Sequence, residues 1–143
     1  TCRSPMAEGI AKAIFPQALK EEIEISSAGS SALEGFPASA HAIQVAKKHG
    51  IDLTKHKARL LNRSLVTKAD LIVTMSTKHK QMVGILDPSA LKHTYLLSGF
   101  CGCADSDVPD PIGGGIEVYE QTFCFIEKCM DAMKDRLNEL IAG

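Results

Sequence analysis

The chain begins Thr1-Cys2-Arg3-Ser4-Pro5-Met6-Ala7-Glu8-Gly9, and an apolar pattern of helical period follows. Pro5 suits the first position of a helix because its missing N–H would have no partner there, and Ser4 suits the N-cap. A helix start leaves N–H groups unpaired and carries a partial positive charge, so it attracts an oxyanion. The guanidinium of Arg3 adds charged donors that match phosphate geometry. The stretch therefore predicts half of a phosphate-binding cradle.

The composition indicates a single globular domain with a hydrophobic core. Of the 143 residues, 45% are hydrophobic and 23% are charged, which suits one core. The formal net charge of −1 gives no broad basic surface for nucleic acid, and no apolar run has the length of a membrane span. The five cysteines are an odd number in a chain long enough to fold without disulfides. They predict free thiols in a reducing cytoplasm.

Hydrophobic spacing predicts strands that alternate with helices. The predicted helices cover about residues 5–15, 39–50, 64–69 and 76–86, with a long one from 116, and the predicted strands cover 23–27, 70–75 and 94–98. Ser64 and Ser76 are predicted N-caps, and Gly50 is the predicted terminator of the helix that starts at Ser39. This alternation favours a parallel sheet in an α/β layer architecture, in which ligands bind at the carboxyl ends of the strands.

The C-terminal helix carries one apolar stripe. Its members recur at spacings of three and four residues and are Ile116, Tyr119, Phe123, Ile126, Met130, Met133, Leu137 and Leu140. Such spacing predicts that one face of the helix packs against the sheet, so the aromatic and methionine members are interpreted as core.

The opening stretch resembles a known phosphate-binding motif. Thr-Cys-Arg-Ser-Pro-Met-Ala-Glu at residues 1–8 is similar to the end of the signature loop of the low-molecular-weight protein phosphatase family, which includes thioredoxin-coupled arsenate reductases. The similarity continues in family order at Ser27-Ala28-Gly29, His56-Lys57-Ala58-Arg59, Leu71-Ile72-Val73-Thr74-Met75 and Asp110-Pro111. It implies a single domain over residues 1–143, a three-layer sandwich with a central four-stranded parallel sheet flanked by helices.

The family's nucleophilic cysteine lies six residues before the loop arginine. That position falls upstream of Thr1, and so does the first strand of the sheet. We therefore expect residues 1–143 to be an N-terminally incomplete domain without the nucleophile. Cys2 is adjacent to Arg3 and cannot take the opening position of the loop.

The resemblance implies that Thr1, Cys2, Arg3 and Ser4 belong to the phosphate-binding loop. Arg3 would bind the phosphoryl oxygens and stabilise the charge of the transition state. Ser4 would support the loop and the departing thiolate through its hydroxyl. Phosphate or sulfate is the expected site ligand.

Asp110 matches the family's general acid, because it is followed by Pro111 and stands ahead of the last helix. In the family, this aspartate protonates the leaving atom and then activates water as a base. Asp105 and Asp107 are nearby, but neither precedes a proline.

Further residues match supporting positions of the family. Ser27 and His56 would brace the phosphate loop through hydrogen bonds. His79 lies in a basic cluster at a predicted helix start, and we expect it to be solvated. Cys101-Gly102-Cys103 lacks a second cysteine pair at zinc-ligand spacing, and the histidines are scattered. Neither a metal site nor a cofactor is predicted.

Two positions bear on the substrate. Tyrosine-specific relatives carry a bulky aliphatic residue at the position of Thr1 and aromatic residues after the Asp-Pro pair, where this chain has Ile112. Bacterial protein-arginine phosphatases share the opening run and a glycine pair after the acid, although they usually carry an aromatic residue at the position of Ile112. A free Asp110 carboxylate could pair with a guanidinium. The resemblance therefore implies hydrolysis of phosphoarginine on proteins through a cysteinyl-phosphate intermediate, with Thr1 and Ile112 setting specificity.

Three alternatives stay open. The first is a protein-tyrosine phosphatase of the same family with a permissive pocket. The second is a thioredoxin-coupled arsenate reductase, which needs two cysteines that relay a disulfide, with Cys101 and Cys103 as candidates. The third is a non-catalytic module that binds phosphate groups on proteins. The expected partners are phosphorylated proteins, and the expected state is a monomer.

Overall fold

Helices make up most of the chain in the computed structural model, which describes residues 3–15, 22–30, 33–102 and 107–142. The α-helices are α1 (Arg3–Ile14), α2 (Ala40–Lys48), α3 (Arg63–Lys68), α4 (Thr77–Leu86), α5 (Ile116–Lys134) and α6 (Leu137–Ala142). The strands are β1 (Ile72–Thr74) and β2 (Thr94–Leu96), and short 3₁₀ helices cover Pro88–His93 and Leu97–Cys101. Among the described helices, none combines the length and the hydrophobicity that crossing a bilayer requires.

The strands β1 and β2 pair in parallel, in a register that places Val73 opposite Tyr95. This pairing confirms the predicted α/β class with a parallel sheet. Over the described ranges the sheet has these two strands, so the predicted four-stranded sheet is not confirmed. Residues 23–27 alternate like a strand but have no ladder partner among the described residues. A segment belongs to a sheet only when a neighbouring strand pairs with its backbone, and the alternation of side chains does not reveal whether such a neighbour exists.

The first helix, α1, starts earlier than the capping pattern predicts. It begins at Arg3, so Ser4 lies inside the first turn rather than at the N-cap. Sequence patterns fix helix ends only to within a residue or two. A Cβ added at Gly9 would lie 2.8 Å from Leu53 Cδ2, so the glycine lets the segment after α2 pack directly against α1.

Most helix termini follow local capping chemistry. The hydroxyls of Ser39 and Ser76 accept backbone N–H bonds at 3.3 and 3.2 Å. This confirms the predicted cap at Ser76 and adds Ser39 as the cap of α2. The cap of α3 is Asn62, whose Oδ1 accepts an N–H at 2.9 Å, so the prediction of Ser64 was wrong. Serine and asparagine both cap helices well, so residue type alone does not decide between positions 62 and 64. The helix begins after the earlier position, Asn62. Gly50 follows α2 with φ of +80°, as predicted for a helix terminator.

The main core lies where α5 packs against α1, α2 and the 3₁₀ turn at Leu97–Cys101. Its fully buried side chains include Met6, Ile10, Val45, Leu97, Phe123 and Ile126. The predicted stripe of the C-terminal helix is confirmed from Tyr119 to Leu140, whereas Ile116 is 37% exposed. The stripe also continues across a helix break, because α5 ends at Lys134 and α6 begins at Leu137.

A disulfide joins Cys101 to Cys129, whose Cα atoms are 5.2 Å apart. The prediction of free thiols was wrong for this pair, because the fold packs the 3₁₀ turn against α5 and brings two distant cysteines together. Cys124 is free and exposed, and Cys2 and Cys103 lie outside the described residues. The cysteine pattern therefore gives no support to the predicted cytoplasmic location.

Candidate active site

The carboxyl end of β1 holds the segment 107–112, as expected for a ligand site in a parallel α/β fold. The N–H of Val108 donates to the carbonyl oxygen of Met75, just past β1, at 2.8 Å. The side chain of Val108 is fully buried. Two anchors, one polar and one apolar, thus fix the start of this segment at the edge of the sheet.

Arg3 connects the start of α1 to the same segment. Its Nη1 donates to the carbonyl oxygen of Val108 at 2.7 Å, across 105 positions of sequence. Its Nη2 lies 3.8 Å from Asp110 Oδ2, and the side chains of Arg3 and Asp110 are 15% and 46% exposed. A guanidinium has five N–H donors, so these contacts can orient its plane while other donors serve an oxyanion. The structure thus brings together the predicted phosphate-binding arginine and the predicted acid.

The aspartates of the segment have different surroundings. Asp107 accepts hydrogen bonds from the N–H and the hydroxyl of Thr77 at 2.9 and 3.0 Å, and these bonds lower the pKa of Asp107. Asp107 therefore anchors the segment to the start of α4. Asp110 accepts the N–H of Ile112 at 3.1 Å through Oδ1, which leaves Oδ2 facing the guanidinium. The contact with Arg3 thus belongs to Asp110, whereas the hydrogen bonds of Asp107 come from Thr77. Asp105 lies outside the described residues.

A carboxylate on α1 links the predicted supporting residues. Ser27 donates its hydroxyl hydrogen bond to Glu8 Oε1 at 2.9 Å, and His56 Nδ1 lies 3.8 Å from Glu8 Oε2. Lys12 also contacts Glu8 Oε2, at 3.1 Å. The side chains of Glu8 and His56 are only 17% and 8% exposed. Ser27 and His56 thus lie on one network with α1, beside a small cavity that Ser4 also lines.

Glu8 is the member of this network to which the sequence pattern assigned no role. It belongs to the opening run, but its pattern alone indicates only an acidic side chain in the second turn of a helix. One available signal was its spacing of four from Lys12, which predicts an ion pair on the helix surface. The contacts with Ser27 and His56 depend on tertiary packing and have no sequence signature.

His79 lies near the site and is partly buried. Burial followed by the positive charge of Arg3 lowers the pKa of His79, against the opposing effect of Asp107 and Asp110. The prediction of a solvated histidine is therefore met only in part. The cap Ser76 turns the first residues of α4 toward the 107–112 segment, which a charge cluster in the sequence does not reveal.

The predicted specificity residue Ile112 is 67% exposed at the tip of a turn. Behind it, Pro111 is buried, and its carbonyl oxygen accepts the N–H of Gly114 at 2.8 Å. Two aliphatic side chains at the start of α5, Ile116 and Val118, are 37% and 40% exposed. The turn therefore presents an aliphatic side chain to solvent just after Asp110.

Thr1 and Cys2 lie outside the described residues, so their contacts with phosphate stay predictions. The described part of the site combines a helix N-terminus, a guanidinium and a carboxylate. The helix end and the guanidinium can bind a dianion. The carboxylate can carry a proton to or from a group held beside them.

Known proteins are similar to this chain in sequence and in fold. A family model for low molecular weight phosphotyrosine protein phosphatase matches residues 1–141. The chain is 33% identical to the low molecular weight protein-tyrosine-phosphatase Ptp of Acinetobacter johnsonii, over 90% of this chain and 85% of that protein. It matches the structure of the YwlE arginine phosphatase from Geobacillus stearothermophilus with a TM-score of 0.85 and 34% identity, over 97% of this chain and 87% of that one. Vibrio vulnificus Wzb in complex with benzylphosphonate matches with a TM-score of 0.82 and 30% identity, over 94% and 90% of the two chains.

Proposed function

Because the chain belongs to the low molecular weight protein phosphatase family, we propose that it hydrolyses phosphoarginine on proteins through a cysteinyl-phosphate intermediate. The observation that carries the proposal is the contact of Arg3 with both Val108 and Asp110. It holds a phosphate-binding guanidinium beside a carboxylate that can transfer a proton. We place the nucleophilic cysteine ahead of Thr1, at the family's position.

The chemistry proceeds in two displacements at phosphorus. The thiolate attacks phosphorus while Asp110 donates a proton to the leaving nitrogen, so the P–N bond breaks and a free arginine side chain departs. Asp110, now ionised, takes a proton from water, which attacks the phosphocysteine and releases inorganic phosphate and the thiolate. Arg3 balances the charge on the equatorial oxygens in both steps.

The preference for phosphoarginine is supported by the surface around Asp110. The carboxyl group of Asp110 is 46% exposed, so the leaving nitrogen of an incoming phosphoarginine can reach it and take its proton. Ile112 is the exposed side chain next to it, and an aliphatic group offers no ring face for a phenol to stack on. The family resemblance implies that Thr1 narrows the pocket.

The test compares kcat/KM for two peptides of the same sequence, one carrying phosphoarginine and one carrying phosphotyrosine, with the full-length protein. We expect the phosphoarginine peptide to be the better substrate. Thr1→Ile should raise kcat/KM for the phosphotyrosine peptide relative to the phosphoarginine peptide, because tyrosine-specific relatives carry a bulky aliphatic residue at that position. Thr67→Ile is the matched control, because Thr67 is an exposed threonine on α3 and the change should leave the ratio unaltered.

Faster cleavage of phosphotyrosine would show the tyrosine phosphatase that the Acinetobacter johnsonii relative is named for. Binding of phosphopeptides without turnover would show the non-catalytic module. Arsenate reduction through Cys101 and Cys103 loses support, because Cys101 is bonded to Cys129.

A further inference from the structure

A second cluster of polar side chains lies outside the candidate active site, where the end of α2 meets α5. His49 Nε2 is 2.7 Å from Glu120 Oε1, and Cys124 Sγ is 3.9 Å from the same oxygen. One ligand atom from each side chain lies within 4.8 Å of the other two. Residues 49 and 120 are 71 positions apart. The prediction of no metal site considered spacing along the sequence, which cannot reveal a pairing of this range.

The fold holds these side chains in position without an ion. Glu120 and Cys124 are one turn apart on α5, so they face the same side of the helix. His49 is the C-cap of α2, and its backbone N–H donates to carbonyls of the last turn. Its ring stacks on Phe123 with a centroid distance of 4.4 Å and an interplanar angle of 20°. Phe123 is fully buried, so a core residue sets the orientation of the imidazole.

We propose that His49, Glu120 and Cys124 form a three-residue Zn²⁺ site with water in the fourth position. Imidazole nitrogen, carboxylate oxygen and thiolate sulfur are ligands that zinc takes in proteins. Tetrahedral zinc with bonds of about 2.0–2.3 Å separates its ligand atoms by about 3.3–3.8 Å. The 3.9 Å between Cys124 Sγ and Glu120 Oε1 is close to this range. When the ion binds between His49 Nε2 and Glu120 Oε1, the distance between these atoms increases from 2.7 Å and their hydrogen bond is lost.

Zinc binding replaces the existing contacts of Glu120 and Cys124. The charges and protons balance in this exchange. The ion displaces the thiol proton of Cys124 to solvent, and the resulting thiolate together with the Glu120 carboxylate neutralises its two positive charges. Lys48 Nζ, 3.6 Å from Glu120 Oε1, competes for the carboxylate. The side chain of Lys48 is 71% exposed, so it can move into water at little cost because an exposed ion pair contributes little stability.

The test measures Zn²⁺ binding by equilibrium dialysis and uses Co²⁺ as a spectroscopic probe. The full protein is prepared without thiol reductants, so that the disulfide between Cys101 and Cys129 stays closed and offers no competing thiolate. We expect a thiolate-to-Co²⁺ charge-transfer band in the parent protein. Cys124→Ser should abolish this band, and Cys124→Ser and His49→Gln should each lower Zn²⁺ affinity at least about tenfold, a loss typical of disturbed zinc sites.

Asp131→Asn is the matched control, because Asp131 is an exposed carboxylate on the same helix, and it should leave Zn²⁺ affinity unchanged. Urea unfolding of each variant verifies that the fold is intact. The proposal is overturned if the parent protein binds no Zn²⁺, or if Cys124→Ser and His49→Gln both bind it as tightly as the parent does. These measurements involve no turnover, so their outcome is separate from that of the proposed phosphatase function.

Discussion

The Arg3–Asp110 site and the cluster of His49, Glu120 and Cys124 both assemble from distant parts of the chain, but they differ in their sequence signals. Arg3 lies in a run whose residue order already indicates phosphate binding. The second cluster has no motif, and its ligands meet only because α2 packs on α5. A sequence motif can reveal a site that is built on a local backbone feature, such as a helix N-terminus. A site formed by the outer surfaces of two packed helices has no such feature, so no motif marks it.

The change with the largest expected effect on this comparison is Arg3→Lys. Lysine keeps the charge but loses the fork that reaches Val108 and phosphate together. We expect kcat/KM to fall on the order of 10³-fold, the scale for a preorganised transition-state donor, while Zn²⁺ affinity stays unchanged. Steady-state kinetics and dialysis on one preparation measure both quantities. Arg63→Lys on α3 is the control, and full activity of Arg3→Lys would contradict the assignment.

The second largest effect that we expect is the loss of kcat in Asp110→Asn, compared with the loss in Asp107→Asn. The amide at 110 can neither donate a carboxylic acid proton nor act as a base, so we expect kcat to fall about 10²-fold or more. In Asp107→Asn the amide oxygen can still accept the hydrogen bonds of Thr77, so the fall in kcat should be much smaller. The acidic and basic limbs of the kcat–pH profile are the readout. Equal losses for both variants would remove the distinction between the two aspartates.

Phe123→Leu tests the second cluster from inside the core. Leucine keeps most of the apolar volume, so the free energy of unfolding should fall by less than about 1.5 kcal/mol. It removes the ring on which His49 stacks, so Zn²⁺ affinity should fall while kcat/KM is retained. Urea unfolding, dialysis and kinetics are measured together. Undiminished Zn²⁺ affinity would show that stacking does not position the imidazole.

The smallest expected effect is the pH response of His79→Gln. Burial and the charge of Arg3 hold the pKa of His79 below its ordinary value of 6.5, so the unfolded state binds this proton more readily than the folded state. His79 therefore lowers stability as pH falls through the unfolded pKa. Urea unfolding at about pH 8 and about pH 5 should show a smaller acid-induced loss in the variant. An equal loss in both proteins would contradict the assigned environment.

Several features of the fold and the site followed from short stretches of sequence. Ser76 caps its helix because it needs only an N–H group three residues away. The stripe of the C-terminal helix is buried from Tyr119 to Leu140 because its period matches the helix. Asp110 was singled out by the family resemblance, through Pro111 and its place ahead of the last helix. The contact of Asp110 with Arg3 and those of Asp107 with Thr77 required the tertiary structure.

The sequence alone was sufficient to predict the cap at Ser76 and the apolar stripe from Tyr119 to Leu140, because these depend on neighbours within a turn or two. It did not predict the disulfide between Cys101 and Cys129, the network around Glu8 or the contact of His49 with Glu120, which arise from tertiary packing. Contacts across tens of residues depend on which surfaces pack together. That packing follows from burial of the whole core, and no single stretch encodes it.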